Sequence, residues 1–162
     1  MIFAPHIIVG ATIGAKTHNL GLIIILGLLT HFIMDKLPHW DYFWLGIKNF
    51  KKTKNFKALF YDFLKMGIDC TVGFLIVLPL LWYKNFLNFD YLPFILLGIF
   101  VSLLPDINFG LVRLIAGRPT KYTEICEKNF HYKNKEKEGK ITFLGLSTEI
   151  LVIIISAIIL SF

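Results

Sequence analysis

The sequence predicts an all-α polytopic membrane bundle of about five helices with one interfacial amphipathic helix, in a single domain spanning residues 1–162. Three observations predict it. Of the 162 residues, 56% are hydrophobic and only 17% are charged, whereas soluble domains carry roughly 25% charged residues. Mean hydropathy is +0.65. The apolar residues are collected into five runs instead of being dispersed along the chain. Together these exclude disorder, a coiled coil and an ordinary soluble domain.

The runs define the elements in order. Residues 2–17 form a short first stretch carrying Pro5 and His6. Residues 20–37 form the second, with His31, Asp35 and Lys36 near its end. Residues 66–83 are the third and contain Asp69. Residues 91–112 are the fourth and contain Asp106, and residues 141–162 are the fifth and contain Glu149. About 20 apolar residues cross about 30 Å of hydrocarbon, so stretches two to five suffice and the first is marginal. Residues 46–65 are different. Phe56, Leu59, Phe60 and Phe63 recur at helical spacing among Lys51, Lys52, Lys54 and Lys57, the pattern of a basic helix lying on a membrane surface. Trp40, Tyr42, Phe43 and Trp44 before it read as an interfacial aromatic belt. Residues 113–140 are polar and read as a loop with room for a short helix.

The net charge is +6. Its placement fits membrane orientation better than nucleic-acid binding. Residues 36–65 hold seven Lys, and residues 113–140 hold six Lys and two Arg. If all five stretches cross, 15 of the 17 basic residues share one side, leaving Lys16 and Lys84 on the other. The positive-inside rule makes the basic side cytoplasmic, with the N-terminus inside and a bacterial inner membrane as the location. The N-terminus has no basic region ahead of its apolar stretch and does not read as a cleaved signal. Cys70 and Cys126 lie in unlike settings and form no zinc or redox pattern.

Ionisable groups within spans are costly and often mark a functional site. The predicted topology brings them to one level. His6 starts the first helix, His31 and Asp35 end the second, Asp69 starts the third, Asp106 lies near the end of the fourth, and Glu149 sits two turns into the fifth. His39, Asp41 and His131 fall in loops on that side. Small residues share faces with these groups: His6 with Gly10 and Gly14, Asp69 with Gly73, Ser102 with Asp106, and Gly145 with Glu149. Small residues admit close helix approach. The densest cluster runs from His31 to Asp41. His31 and Asp35, four apart, project from one helix face, Pro38 ends that helix, and His39 and Asp41 alternate in the extended piece beyond. Imidazole and carboxylate suit Zn, Mn or Fe. Each group also has a structural alternative: a His31–Asp35 pair, a helix cap at Asp106, an Asp69–Lys65 salt bridge, or an interhelical hydrogen bond at Glu149.

His6 before the small-residue stripe, the block His31-x-x-x-Asp35-x-x-Pro38-His39-Trp40-Asp41 and Leu103-Leu104-Pro105-Asp106-Ile107 together resemble the bacterial membrane-bound metal-dependent hydrolase superfamily. The His-x-x-x-Asp piece is also similar to that of zinc-dependent phospholipase C. The resemblance covers most of the first 110 residues on few motif positions. Two features depart from it: Asn108 stands where a second Asp is usual, and the His-Arg-Gly-x-Thr-His-Ser segment is absent, with His131 at best a partial stand-in. The resemblance implies His6, His31, Asp35 and Asp106 as metal ligands, with His39 and Asp41 as ligands or outer-shell groups. The expected activity is metal-dependent hydrolysis of a phosphoester or lipid-derived substrate at the cytoplasmic face. The expected cofactor is a divalent ion, zinc first, able to lower the pKa of a bound water to roughly 7. Asp69 or Glu149 is expected as general base or orienting group. The expected partners are the lipid bilayer and an anionic headgroup or phosphoester, with no nucleic acid. A transporter and a non-catalytic scaffold are the alternatives, and the oligomeric state is left open.

Overall fold

The computed structural model describes residues 1–42, 44–130, 132 and 141–162, without the side chains of Glu127 and Phe130. Among these residues the chain is all-helical: α1 (Phe3–Lys16), α2 (Leu20–Lys36), α3 (Leu45–Thr53), α4 (Phe56–Tyr83), α5 (Leu92–Ala116), α6 (Lys121–Phe130) and α7 (Phe143–Ser161). Three of these, α4, α5 and α7, are long and apolar enough to cross a membrane. They expose large apolar side chains to the surroundings, among them Leu75, Leu96, Phe100, Leu151 and Ile154, which is tolerable in lipid and a liability in water. The 17 residues of α2 and the 14 of α1 are about 26 Å and 21 Å long at 1.5 Å per residue.

The shortest of the expected spans is the most enclosed. Eleven residues of α1, including Phe3, His6, Ile7, Ile8, Gly10 and Gly14, are buried, and α1 packs against α2, α4, α5 and α7. It runs antiparallel to α5. A Cβ on Gly14 would meet Ile95 Cα at 2.5 Å, and one on Gly10 would meet the Gly98 carbonyl oxygen at 2.5 Å. The expected stripe is therefore the seam between the two helices. On α2 the buried residues Ile23, Gly27, His31 and Asp35 repeat every four positions, and Gly27 lies under Val101 of α5.

The expected surface helix over 46–65 is two elements. Lys54 adopts a left-handed conformation (φ 50°) that ends α3. Asn55 Oδ1 then accepts from Ala58 N at 3.0 Å and starts α4, whose 28 residues run unbroken through Tyr83. Helix α3 folds back on α4, with Gly46 against the Ala58 backbone and Ile47 N donating to Asp62 Oδ2 at 2.9 Å. The aromatic belt is likewise turned inward. Trp44 packs edge-on against Phe3 at 6.0 Å and stacks on Tyr42, and the indole nitrogens of Trp40 and Trp44 are buried; Phe43 lies outside the described residues. The polar segment after α5 does contain a short helix, α6.

At the far end of the bundle the two isolated lysines are pinned. Lys16 Nζ sits 5.0 Å from the Phe86 ring centroid, and Lys84 Nζ donates to the Ser161 carbonyl. The opposite end carries α3, α6, residues 37–42 and the site.

Candidate metal centre

Three helices deliver four inward side chains. His6 comes from the second turn of α1, His31 and Asp35 from the last turns of α2, and Asp106 from α5. His6 and His31 are 0% exposed, Asp35 3% and Asp106 8%. The imidazoles stack with centroids 4.4 Å apart. His6 Nε2 lies 3.2 Å from Asp35 Oδ1 and 3.9 Å from Asp106 Oδ2. His31 Nε2 lies 3.3 Å from Asp35 Oδ2 and 3.9 Å from Asp106 Oδ1. Each carboxylate therefore faces both Nε2 atoms. His6, His31 and Asp106 can each offer one ligand atom with all three atoms within 4.8 Å of one another.

The tautomer of His31 follows from its other nitrogen. His31 Nδ1 is 2.7 Å from the Ser102 carbonyl oxygen. A carbonyl only accepts, so Nδ1 carries the hydrogen and a neutral ring turns the Nε2 lone pair toward the carboxylates. Pro105 lies close to this contact. Lying inside α5, it has no N–H and leaves the Val101 carbonyl without its helical donor, one residue before the Ser102 carbonyl that meets His31. A ligating imidazole held by a hydrogen bond from its second nitrogen is the usual outer-shell arrangement of metal sites.

His6 Nε2 lies within hydrogen-bond distance of Asp35 Oδ1 and can donate there, whereas the His31 Nε2 lone pair facing carboxylate oxygens is repelled unless a proton or a cation lies between them. One source of charge is the Met1 ammonium, 2.8 Å from Asp35 Oδ1. Burial lowers its pKa, but Asp35, followed by Asp41 and Asp106, more than offsets that and raises it to about 10. Protons on both rings are a poor second source, because two imidazolium ions stacked 4.4 Å apart repel each other. His31 Nε2 and Asp106 Oδ2 are buried without a hydrogen-bond partner, as is His6 Nδ1. A divalent ion with bonds of about 2.0–2.1 Å sets neighbouring ligand atoms roughly 3.3 Å apart in tetrahedral geometry. The N···O separations to Asp35, 3.2 and 3.3 Å, are near that spacing and those to Asp106, both 3.9 Å, are longer, so an ion among His6, His31 and Asp106 would draw the Asp106 carboxylate inward.

The other expected site residues lie around this group. Asp69 accepts from Phe3 N at 2.5 Å, Ala4 N at 3.2 Å and the Tyr42 hydroxyl at 3.4 Å. It is an N-terminal anchor for α1 supplied by α4, and Lys65, its expected partner, pairs with Asp62 at 3.6 Å. Burial, then the charges of Asp69 and Asp41, push the Tyr42 hydroxyl above its ordinary pKa, which keeps it a donor. Glu149 Oε1 accepts from Trp40 N at 3.0 Å, and Thr148 Oγ1 donates to the Pro38 carbonyl. Both expected acid–base residues thus hold backbone. His39 Nδ1 is engaged with the Leu37 carbonyl at 2.8 Å, and its ring lies 6.0 Å from Tyr132. Asp41 is half-buried, and its charge acts on the Met1 amine. Neither joins His6, His31 and Asp106 in the metal-competent group. His131 lies outside the described residues.

Sequence reasoning missed Asp62, the Ser102 carbonyl and the Met1 amine. Asp62 is 2% exposed inside a segment read as a surface helix. No pattern in the sequence announces a backbone carbonyl as a histidine partner.

The Asp69 anchor has a testable consequence. Asp69→Ala removes the acceptor from two amides at the buried start of α1, each costing about 1–3 kcal/mol when left unpaired. The expected result is a lower unfolding temperature together with weaker metal retention under chelator competition, since His6 lies one turn further on. Asp69→Asn, which keeps one carbonyl oxygen, is expected to recover part of both. Unchanged stability in Asp69→Ala would remove the anchor role.

Comparison with family models, curated proteins and solved structures finds no match to this chain. The group of His6, His31 and Asp106, with Asp35 against it, is what the described residues offer for metal binding.

Proposed function

We propose that this chain is a multi-pass membrane protein that holds one divalent ion between His6, His31, Asp35 and Asp106 and acts as a metal-dependent hydrolase of a phosphoester at one membrane face. The observation that carries this reading is the donor set itself: four buried side chains from three helices with their Nε2 and carboxylate atoms converging, two of those atoms without a hydrogen-bond partner.

In this reading α2 crosses beside α4, α5 and α7, and α1 stands inside the ring they form, giving the five-helix bundle. Lys16 and Lys84 mark the outer face. The basic residues of 36–65 and 113–140 support a site at the cytoplasmic face of a bacterial inner membrane. The bound ion would act as a Lewis acid on a phosphoryl oxygen. The chain's own residues do the positioning. Ser102 orients His31, Asp69 fixes the start of α1 and hence His6, and Glu149 with Thr148 holds the Pro38–Trp40 segment over the end of α2. Zinc is the first expectation, with Mn or Fe next. Zinc held by both histidines and one carboxylate would supply an electrophile for the phosphoryl group, and the remaining carboxylate of Asp35 or Asp106 would hold or accept a proton.

The complete burial of His6 and His31 favours a second reading, in which both carboxylates ligate. A four-ligand site is closed and structural, and the ion then locks α1, α2 and α5 together without catalysis.

The experiment is elemental analysis of protein purified from membranes in mild detergent without a His tag, followed by assay with a chromogenic phosphodiester. About one Zn, Mn or Fe per chain, with turnover lost to chelator and restored by metal, supports the hydrolase. The same metal content without turnover supports the structural lock. No metal after reloading overturns both, and release of the chain from membranes by alkaline carbonate overturns the membrane assignment.

A further inference from the structure

Outside the metal centre, the first half of α4 carries an open groove of about 530 Å³ lined by Phe60, Phe63, Leu64, Gly67, Ile68, Thr71 and Val72. Several of these are large and well exposed, Phe60 at 64% and Ile68 at 59%. Gly67 makes the hollow, since a Cβ built there would touch nothing within 4 Å. Thr71, the polar residue of the lining, turns its hydroxyl back to the Gly67 carbonyl at 2.8 Å. The groove is therefore largely apolar.

Its upper end is cationic. Lys57 lies three residues before Phe60 and seven before Leu64, so it shares the groove's helix face. It is exposed. Lys54, in the bend between α3 and α4, is also exposed, and its ammonium sits 5.5 Å from the Phe50 ring centroid. Long side chains on a helix lean toward its N-terminus, which carries the Lys57 ammonium away from the apolar lining and toward Lys54. From Phe60 to Val72 is twelve residues, about 18 Å of helix at 1.5 Å per residue. One leaflet offers about 15 Å of hydrocarbon, half of the usual 30 Å. Two lysines at one end, an apolar groove one leaflet long beyond them with the exposed Lys65 at its edge neutralised by Asp62 at 3.6 Å, and a hollow at Gly67 match a phospholipid in charge, polarity and length.

We propose that this face of α4 is a binding site for one anionic phospholipid, its phosphate on Lys57 and Lys54 and one acyl chain along Phe60–Val72. The site rests on the membrane assignment and is independent of the metal. It places a negatively charged lipid on the same side of the membrane as the metal centre.

The test is native mass spectrometry of the detergent-solubilised protein with added phosphatidylglycerol or phosphatidylcholine of matched chains. One phosphatidylglycerol is expected to be retained in clear preference to phosphatidylcholine. Each lysine near an anionic surface contributes about 1 kcal/mol, so K54E/K57E should reduce retention of phosphatidylglycerol by at least about 25-fold and leave phosphatidylcholine unchanged. Gly67→Trp, which fills an open hollow, should reduce retention of both lipids while helicity and metal content stay as in wild type. Equal retention of the two lipids by the wild-type chain overturns the proposal, whatever the variants do. So does a wild-type dimer that Gly67→Trp converts to monomer, which would assign the groove to a second copy. Carbonate extraction in parallel separates failure of this site from failure of the membrane assignment.

Discussion

His31→Ala is expected to abolish metal binding, dropping the purified chain from about one ion to less than a tenth, and to remove the stabilisation that added metal confers. His31 is the most constrained member of the site, with Nδ1 fixed on Ser102 at 2.7 Å and Nε2 facing both carboxylates. Its loss removes a ligand and the ring on which His6 stacks. An ion present at a thousand times its dissociation constant stabilises by about 4 kcal/mol, so the wild-type unfolding temperature should fall on chelation and the variant's should not move. The carboxylates then separate the two functional readings. If one is a ligand and the other handles a proton, either Asp35→Asn or Asp106→Asn keeps the metal and loses turnover, while its counterpart loses both. If both ligate a closed site, both variants lose metal and neither had turnover to lose. A wild-type chain whose stability ignores chelator and whose His31→Ala variant is merely less stable would leave a protonated His–Asp network in place of a metal centre.

How much of this was legible depended on whether a signal was local. The His31–Asp35 spacing, the inward stripe of His6, Gly10 and Gly14, and the pairing of Ser102 with Asp106 are periodic features of single helices, and the structure uses each of them at a helix contact. The break between α3 and α4 was also written locally, as Thr53-Lys54-Asn55. It was hidden because Phe56, Leu59, Phe60 and Phe63 repeat at helical spacing directly after Lys51, Lys52 and Lys54, which draws both sides into one basic amphipathic element. What could not be read were the long-range partners. Asp69, Asp62 and Glu149 each look like ionisable groups awaiting chemistry. Their acceptors' demand comes from backbone amides at Phe3, Ile47 and Trp40, which carry no residue-type signature. The inward turn of Trp40 and Trp44 was invisible for a related reason, since an interfacial tryptophan and one packed beneath a loop have the same flanking sequence.

The largest stability loss is expected at the α1–α5 seam, from Gly14→Ala. The added Cβ would stand 2.5 Å from Ile95 Cα and closer still to the Phe94 carbonyl oxygen. Gly10 is similarly placed, 2.5 Å from the Gly98 oxygen and 2.9 Å from Ile99 Cα. These obstacles are backbone atoms inside helices, so no rotamer change relieves them, and the helix axes must move apart. Overpacking costs about 1–3 kcal/mol when side chains can adjust; here they cannot, and a loss above about 3 kcal/mol is expected. The seam also sets the register of the site, because α1 carries His6 and α5 carries Asp106. Gly14→Ala and Gly10→Ala should therefore lose metal affinity although neither residue touches an ion. Gly67→Ala supplies the control. Its Cβ would meet nothing, and alanine is worth up to about 1 kcal/mol over glycine inside a helix, so that variant should be as stable as wild type or more so, with full metal content. Thermal unfolding and elemental analysis of the three alanine variants would check this directly. A Gly14→Ala chain that unfolds at the wild-type temperature and keeps its metal would mean that α1 and α5 do not meet at these glycines, and the placement of His6 beside Asp106 would fall with the seam.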